Sequence, residues 1–129
     1  DGIRDTSVTG VRRVLFRSKK RPFIVFHDAY QYLEHRYGLT AVGSVTVSPD
    51  RAPGAQRVRE LRSKIIAAKA VCVFSEPQFR PALVATLIEG TRAKTAVLDP
   101  LGASLPVEAE SYFKTMGALA RSLAGCLVD

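Results

Sequence analysis

Short runs of apolar and β-branched residues alternate along this chain with longer stretches whose apolar positions recur every three or four residues. The first run, residues 23–26 (FIVF), lies between Pro22 and His27. Four apolar residues in a row read as a strand covered on both faces. Asp28 then predicts a helix N-cap, because its carboxylate can accept the free backbone N–H groups of a first turn. Ala29, Leu33 and Tyr37 repeat at helical spacing until Gly38 stops the helix.

The same alternation continues to the end of the chain. Residues 41–47 alternate and are rich in β-branched side chains, which predicts a second strand. Two prolines, an Asp and a Gly make residues 48–54 a loop. Over residues 55–69 Val58, Leu61, Ile65 and Ala68 form one helical stripe, with Arg57, Arg59, Arg62 and Lys64 mostly outside it. Residues 71–74 read as a third buried strand, and residues 80–88 as a helix opening near Pro81 and closing at Gly90. Residues 95–98 form the fourth strand, 99–107 a loop and 109–124 the last helix, with Tyr112, Met116, Leu119 and Leu123 inward. Strands alternating with helices predict an α/β fold: a three-layer α/β/α lobe around a mostly parallel four-stranded sheet.

In such a sheet His27, Glu76 and Asp99 each follow a strand, so all three are expected at one edge, where open α/β sheets bind ligands. His27 can offer an imidazole nitrogen and Asp99 a carboxylate oxygen, both ordinary zinc donors. A hydrogen-bonded structural histidine is the competing reading of His27. His35, between Glu34 and Arg36 on the polar side of its helix, is expected at the surface. An acid/base or phosphoryl-transfer enzyme built on His27, Asp28 and Asp99 is a second possibility. Against it stand the lack of a Gly-rich phosphate loop or a GxSxG nucleophile, and the burial expected of Cys72. The basic helix over residues 57–69 raises a nucleic-acid-binding alternative, but no aromatic residues are interleaved with it.

Five ordered stretches carry a more specific signal: VFHDAYQYLEHRYGL (25–39), PGAQRVRELR (53–62), VCVFSEPQFRP (71–81), LDPLG (98–102) and a cysteine near the C-terminus. From Lys19 onward the chain resembles the C-terminal lobe of the ZnuA-type zinc-binding substrate-binding proteins of bacterial ABC importers. PGAQR favours the zinc branch over the manganese/iron-type receptors of the same family, which remain the alternative. The resemblance implies an extracytoplasmic, periplasmic receptor, expected to be a monomer and not an enzyme. It would capture Zn2+ as transported ligand between two lobes and pass it to a membrane permease, with no nucleic-acid partner. His27 matches the metal-binding histidine of this lobe, and Asp99 an aspartate that is a ligand in manganese-type relatives and a ligand or near neighbour of the metal in the zinc type. Glu76 matches no ligand, and is expected to hydrogen-bond and fix its loop. Zinc takes four ligands, so the resemblance implies that the other histidines come from an N-terminal lobe, which is expected to be missing here along with the long helix that joins the lobes.

Residues 1–18 (DGIRDTSVTGVRRVLFRS) fall outside that pattern and resemble translated sequencing-adapter readthrough. They are expected to form a non-native, disordered tail that does not pack, leaving residues 19–129 as the lobe. The whole chain has 19 Lys+Arg against 12 Asp+Glu. Four Arg and two Asp lie in the tail, which leaves 15 against 10 and a net charge of +5 on the lobe. A moderately basic balance permits acidic partners without requiring them. About 110 residues are enough for one domain with its own core.

Cys72 and Cys126 are 54 residues apart, which is no CxxC motif. Taken alone they are either a disulfide or two buried thiols. The resemblance implies the disulfide, tying the terminal helix to the sheet in an oxidising compartment.

Overall fold

The computed structural model describes residues 15–46, 53–77, 81–100 and 111–128. The elements follow in the order β1 (Phe23–His27), α1 (Gln31–Tyr37), β2 (Ala41–Thr46), α2 (Ala55–Ala68), β3 (Cys72–Ser75), α3 (Pro81–Ile88), β4 (Lys94–Val97) and α4 (Ser111–Leu127). The four strands form one sheet in the order β2-β1-β3-β4. Every neighbouring pair is parallel, with Val25 opposite Ser44, Phe23 opposite Cys72 and Ser75 opposite Val97.

A parallel sheet needs cover on both faces, and the alternation of side chains along each strand divides the core in two. Phe23, Val25, Cys72 and Phe74 face one side, where they meet Leu33 and Tyr37 of α1 and Leu119, Leu123 and Leu127 of α4. Ile24, Phe26 and Val73 face the other, against Leu61 and Ile65 of α2 and Val84 and Leu87 of α3. Phe23 and Phe74 meet edge to face with centroids 5.6 Å apart, a geometry that adds about 0.5–1.5 kcal/mol beyond burial. The stripe expected on α2 is inward: Leu61 and Ile65 are buried, and Val58 packs against them.

The charged face of α2 is partly committed to the fold. Arg57 donates from Nη2 to the carbonyl of Ser44 in β2 (2.9 Å), and Arg62 donates from Nη1 to the carbonyl of Thr86 in α3 (2.6 Å). Both arginines therefore brace neighbouring elements, which a reading of the helix alone does not show.

Beyond shifts of a few residues at element ends, two differences from expectation change what packs. Asp28 does not cap α1: the Ala29 N–H bonds to the His27 carbonyl at 2.9 Å, making a tight turn that postpones the helix to Gln31. The N-cap is Tyr30, with no side-chain capping bond, and the exposed Asp28 instead accepts from Gln31 Nε2 at 2.6 Å. The later start turns Tyr30 inward, 4% exposed, and leaves Ala29 outside. Gly38 ends α1 with φ of +67°, a left-handed conformation that suits glycine.

The expected tail is the second difference. Leu15 is fully buried in the same cluster as Leu123 and Leu127, and Phe16–Ser18 form a 3-10 turn. A stretch without a helical or strand period can still fill a gap with a single leucine, so among the described residues the packed core includes Leu15 and is not confined to Lys19 onward. Residues 1–14, most of the loops expected at 48–54 and 99–107, and the side chain of Tyr112 lie outside the described residues. Met116, Leu119 and Leu123 face the core as expected.

Cys72 in β3 and Cys126 in α4 form a disulfide, with Cα atoms 6.2 Å apart. It pins α4 to the middle of the sheet. Arg21 adds a second tie just before β1, donating from Nε to the Leu127 carbonyl at 2.7 Å. No helix among the described residues is long and apolar enough to cross a membrane.

Reducing the disulfide, or replacing Cys72 and Cys126 together with Ser, should lower unfolding free energy by about 4 kcal/mol, the loop-entropy value for a closure of this length. Denaturant titration with and without reductant measures it; an unchanged midpoint would show that α4 docks without the bond. Leu15→Ala should cost about 2–5 kcal/mol in the same assay. A tail that does not pack would show no change.

Candidate functional site

The connections of this sheet diverge at one place. From β1 the chain passes through α1 to β2 on one side, then returns through α2 past β1 to β3, and continues through α3 to β4. Where crossovers diverge, a crevice opens beyond the carboxyl ends of the two central strands. Here those ends belong to β1 and β3. His27 is the last residue of β1, Glu76 the first beyond β3, and Asp99 the second beyond β4.

Strand parity decides where these side chains stand. His27 continues the face of Phe23 and Val25, and Glu76 continues the face of Cys72 and Phe74, so both project to the side covered by α1. His27 Nδ1 lies 2.6 Å from Glu76 Oε2, with side-chain exposures of 19% and 1%. The contact is a close approach of the two groups and not an aligned ring N–H hydrogen bond. Tyr30 completes the cluster: its hydroxyl donates to the same Oε2 at 3.0 Å, and its ring lies 6.2 Å from the imidazole, centroid to centroid.

A buried carboxylate is costly unless it is paired. Burial pushes the Glu76 carboxyl above the usual range, the Tyr30 hydrogen bond and the nearness of His27 pull it back, and the charge of Asp99 pushes it up again. The Tyr30 phenol is held far above its ordinary range, first by burial, then by the charge and hydrogen bond of Glu76, then by Asp99. Asp99 thus acts on both groups, which places it beside the cluster. The structure brings His27, Glu76 and Asp99 to one edge, as their positions after strands predict.

Two residues of the cluster go beyond the sequence reading. Glu76 does more than fix its own loop, since it links the end of β3 to β1 and to the start of α1. Tyr30 was not singled out at all. Its signal was available: Tyr30, Leu33 and Tyr37 have the three-and-four spacing of one helical face, beginning three residues after a strand-end histidine. His35 is exposed, as expected. Cys72 is disulfide-bonded and fully buried, which removes a thiolate from the chemistry available here.

Chemically, an imidazole at an open edge with a buried carboxylate behind it suits a divalent cation. Among the described residues no group of three His, Cys, Asp or Glu side chains is placed to hold a metal ion. The described residues thus bring together one partly exposed imidazole and the buried carboxylate of Glu76.

Comparison with known proteins identifies the family. Residues 11–126 match the family described as ZnuA, zinc-uptake complex component A, periplasmic. The high-affinity zinc uptake system protein ZnuA of Brucella abortus (strain 2308) is 56% identical over 109 residues, covering 84% of this chain and 33% of that protein. The protein of the same name from Yersinia pestis is 43% identical over 105 residues, covering 81% and 33%. Among solved structures, the Zn(II)-bound ZnuA-like domain of Streptococcus pneumoniae AdcA superposes with a TM-score of 0.68 at 28% identity, covering 94% of this chain and 46% of that one. The chain thus spans about a third of the length of these curated relatives.

The raised Tyr30 phenol has a measurable consequence. A group whose folded pKa lies above its unfolded value of 10.0 contributes stability that is present below pH ~10 and lost as pH rises through the folded value. Alkaline unfolding should therefore be less steep in Tyr30→Phe than in the parent, while the phenolate absorbance of the folded chains rises equally near pH 10. A larger rise in the parent would mean that Tyr30 ionises freely.

Proposed function

The chain belongs to the ZnuA family of periplasmic zinc-uptake components, and on that premise we propose that it forms one lobe of a two-lobed extracytoplasmic receptor. The receptor captures Zn2+ between its lobes and delivers it to the membrane permease of an ABC importer. The cation is cargo, so selection is by binding, no bond is made or broken, and the protein is not an enzyme. Its working compartment is the periplasm, where the Cys72–Cys126 disulfide can persist.

The observation that carries this reading is the placement of His27. It ends the central strand β1 at the divergence of the sheet, with Nδ1 buried against Glu76 and part of the ring open to the edge. His27 is a direct ligand in this proposal, and Asp99 is either a further donor or a charge that offsets the cation. The cluster already holds two acidic groups, Glu76 and Asp99, that raise the protonation affinity of their neighbours. A divalent cation beside them would relieve that repulsion. The remaining ligands come from the N-terminal lobe, which suits a partial donor set. Zinc is preferred over manganese because an imidazole-led set suits zinc and the matched relatives are named for it. The receptor acts as a monomer, and the basic face of α2, with Arg57 and Arg62 engaged internally, is solvated surface rather than a nucleic-acid interface.

Calorimetric zinc titration tests the proposal on this chain and on the same lobe joined to the N-terminal lobe of a ZnuA relative. Tight binding is expected only in the joined protein. His27→Ala in the joined protein should weaken binding more than about 100-fold, beyond what loss of an outer partner causes. Undiminished affinity after that substitution would remove His27 from the ligand set.

A further inference from the structure

We propose that the end of the lobe opposite His27 holds a binding site for a small organic anion, one that carries a carboxylate or phosphate group on an apolar body. The site is independent of the metal reading, because it lies at the amino ends of the strands whose carboxyl ends form the His27 edge.

A cavity of about 660 Å³ opens there, between the segments that lead into β1, β3 and β4 and the ends of α2 and α3. That volume lies in the range of small-molecule pockets. Its apolar part is made by Ile65, Ile66, Ala70 and Val71, of which Ile66 is 59% exposed. Arg21, Lys69, Arg92 and Lys94 also line it, and none of the lining side chains is acidic. The backbone fixes how close these cations stand. The Val71 N–H bonds to the Pro22 carbonyl (2.8 Å), and the Lys94 N–H to the Val71 carbonyl (2.9 Å). Arg21 and Lys94 therefore flank Val71 from the two neighbouring strands, about two strand spacings or ~10 Å apart. Lys69 stands two residues before Val71 at the end of α2, and Arg92 two residues before Lys94.

Cations at this spacing repel one another, since they lie within about one Debye length. Among the described residues Lys69, Arg92 and Lys94 form no ion pair. Arg21 gives its Nε to the Leu127 carbonyl, a neutral acceptor. Cations suit helix C-termini, which accounts for Lys69 and Arg92 but not for Arg21 and Lys94 on the strand side. Lys69 also has φ of +53°, in the left-handed region that Gly38 and Gly90 supply after α1 and α3. Glycine would be relaxed there, so the chain keeps a cation at the cavity against a backbone preference. An anionic group answers the four charges, and an apolar body covers Ile66, which a bare inorganic anion does not. A recess favours a molecule that enters it over a flat lipid surface.

Backbone amide NMR on the 129-residue chain tests the site with octanoate as probe and acetate as the anion that lacks the apolar body. Octanoate should shift the amides of residues 65–71 and 90–94 saturably. It should bind at least about tenfold more tightly than acetate, the factor that burying two methylenes supplies. Raising the salt to about 1 M, where the Debye length falls to ~3 Å, should weaken it. Lys69→Gly removes a cation and relaxes the backbone, so the denaturant midpoint should stay or rise while octanoate binding falls about two- to fivefold. Lys94→Gln should weaken binding to a similar extent. Equal affinities for octanoate and acetate would mean an adventitious ion only and overturn the proposal. Shifts confined to other residues, or undiminished binding in Lys69→Gly, overturn it too. So does binding of anionic phospholipid vesicles through residues 65–71 with no response to octanoate, which would make this face a membrane contact. None of these outcomes bears on the zinc titration, so the two readings can fail separately.

Discussion

An all-parallel sheet has no face it can leave in water, and the rest of this molecule follows from that requirement. Parallel strands need crossover connections, crossovers here are helices, and the helices must divide between the two faces. α1 and α4 cover one side, and α2 and α3 the other. The division makes β1 and β3 central, so Phe23, Phe26 and Phe74 are buried to within 1% of complete exclusion from solvent. It also makes the divergence between β1 and β3 the one edge where central strands end side by side.

At that edge the apolar strand interiors give way to polar residues, of which Glu76 and Tyr30 are buried. His27 and Glu76 project from adjacent strands on the same face, and the inward turn of Tyr30 brings a hydroxyl to the carboxylate. Burying Glu76 is unfavourable by itself, and neither Tyr30 nor His27 fully compensates while Asp99 adds to the repulsion. The Tyr30 hydroxyl and His27 thus offset part of the penalty that burial and Asp99 place on the ionised Glu76 carboxyl.

The terminal helix shows how far such a small lobe depends on ties outside its sheet. α4 is held by the disulfide to β3, by Arg21 to the segment before β1, and by Leu15, which packs into the cluster that α4 shares with the sheet. Two of the three ties come from residues before the first strand. The start of the packed unit is for that reason earlier than periodicity alone indicates.

Sequence by itself determined the α/β class, the four strands within a residue or two, the inward stripe of α2 and the placement of His27, Glu76 and Asp99 after strands. It could do so because burial on two faces leaves uninterrupted apolar runs, and helical cover leaves a period of three to four. Only the tertiary structure decided the rest. Whether Asp28 caps a helix depended on a turn that takes the His27 carbonyl two residues on. Whether Leu15 packs depended on a gap beside α4, a surface formed more than a hundred residues later. That Tyr30, Glu76 and His27 form one cluster depended on strand register, which brings residues 49 apart in the chain within 2.6 Å. Periodicity reports which side of an element is buried, but partners across elements are set by packing, and no local pattern encodes them.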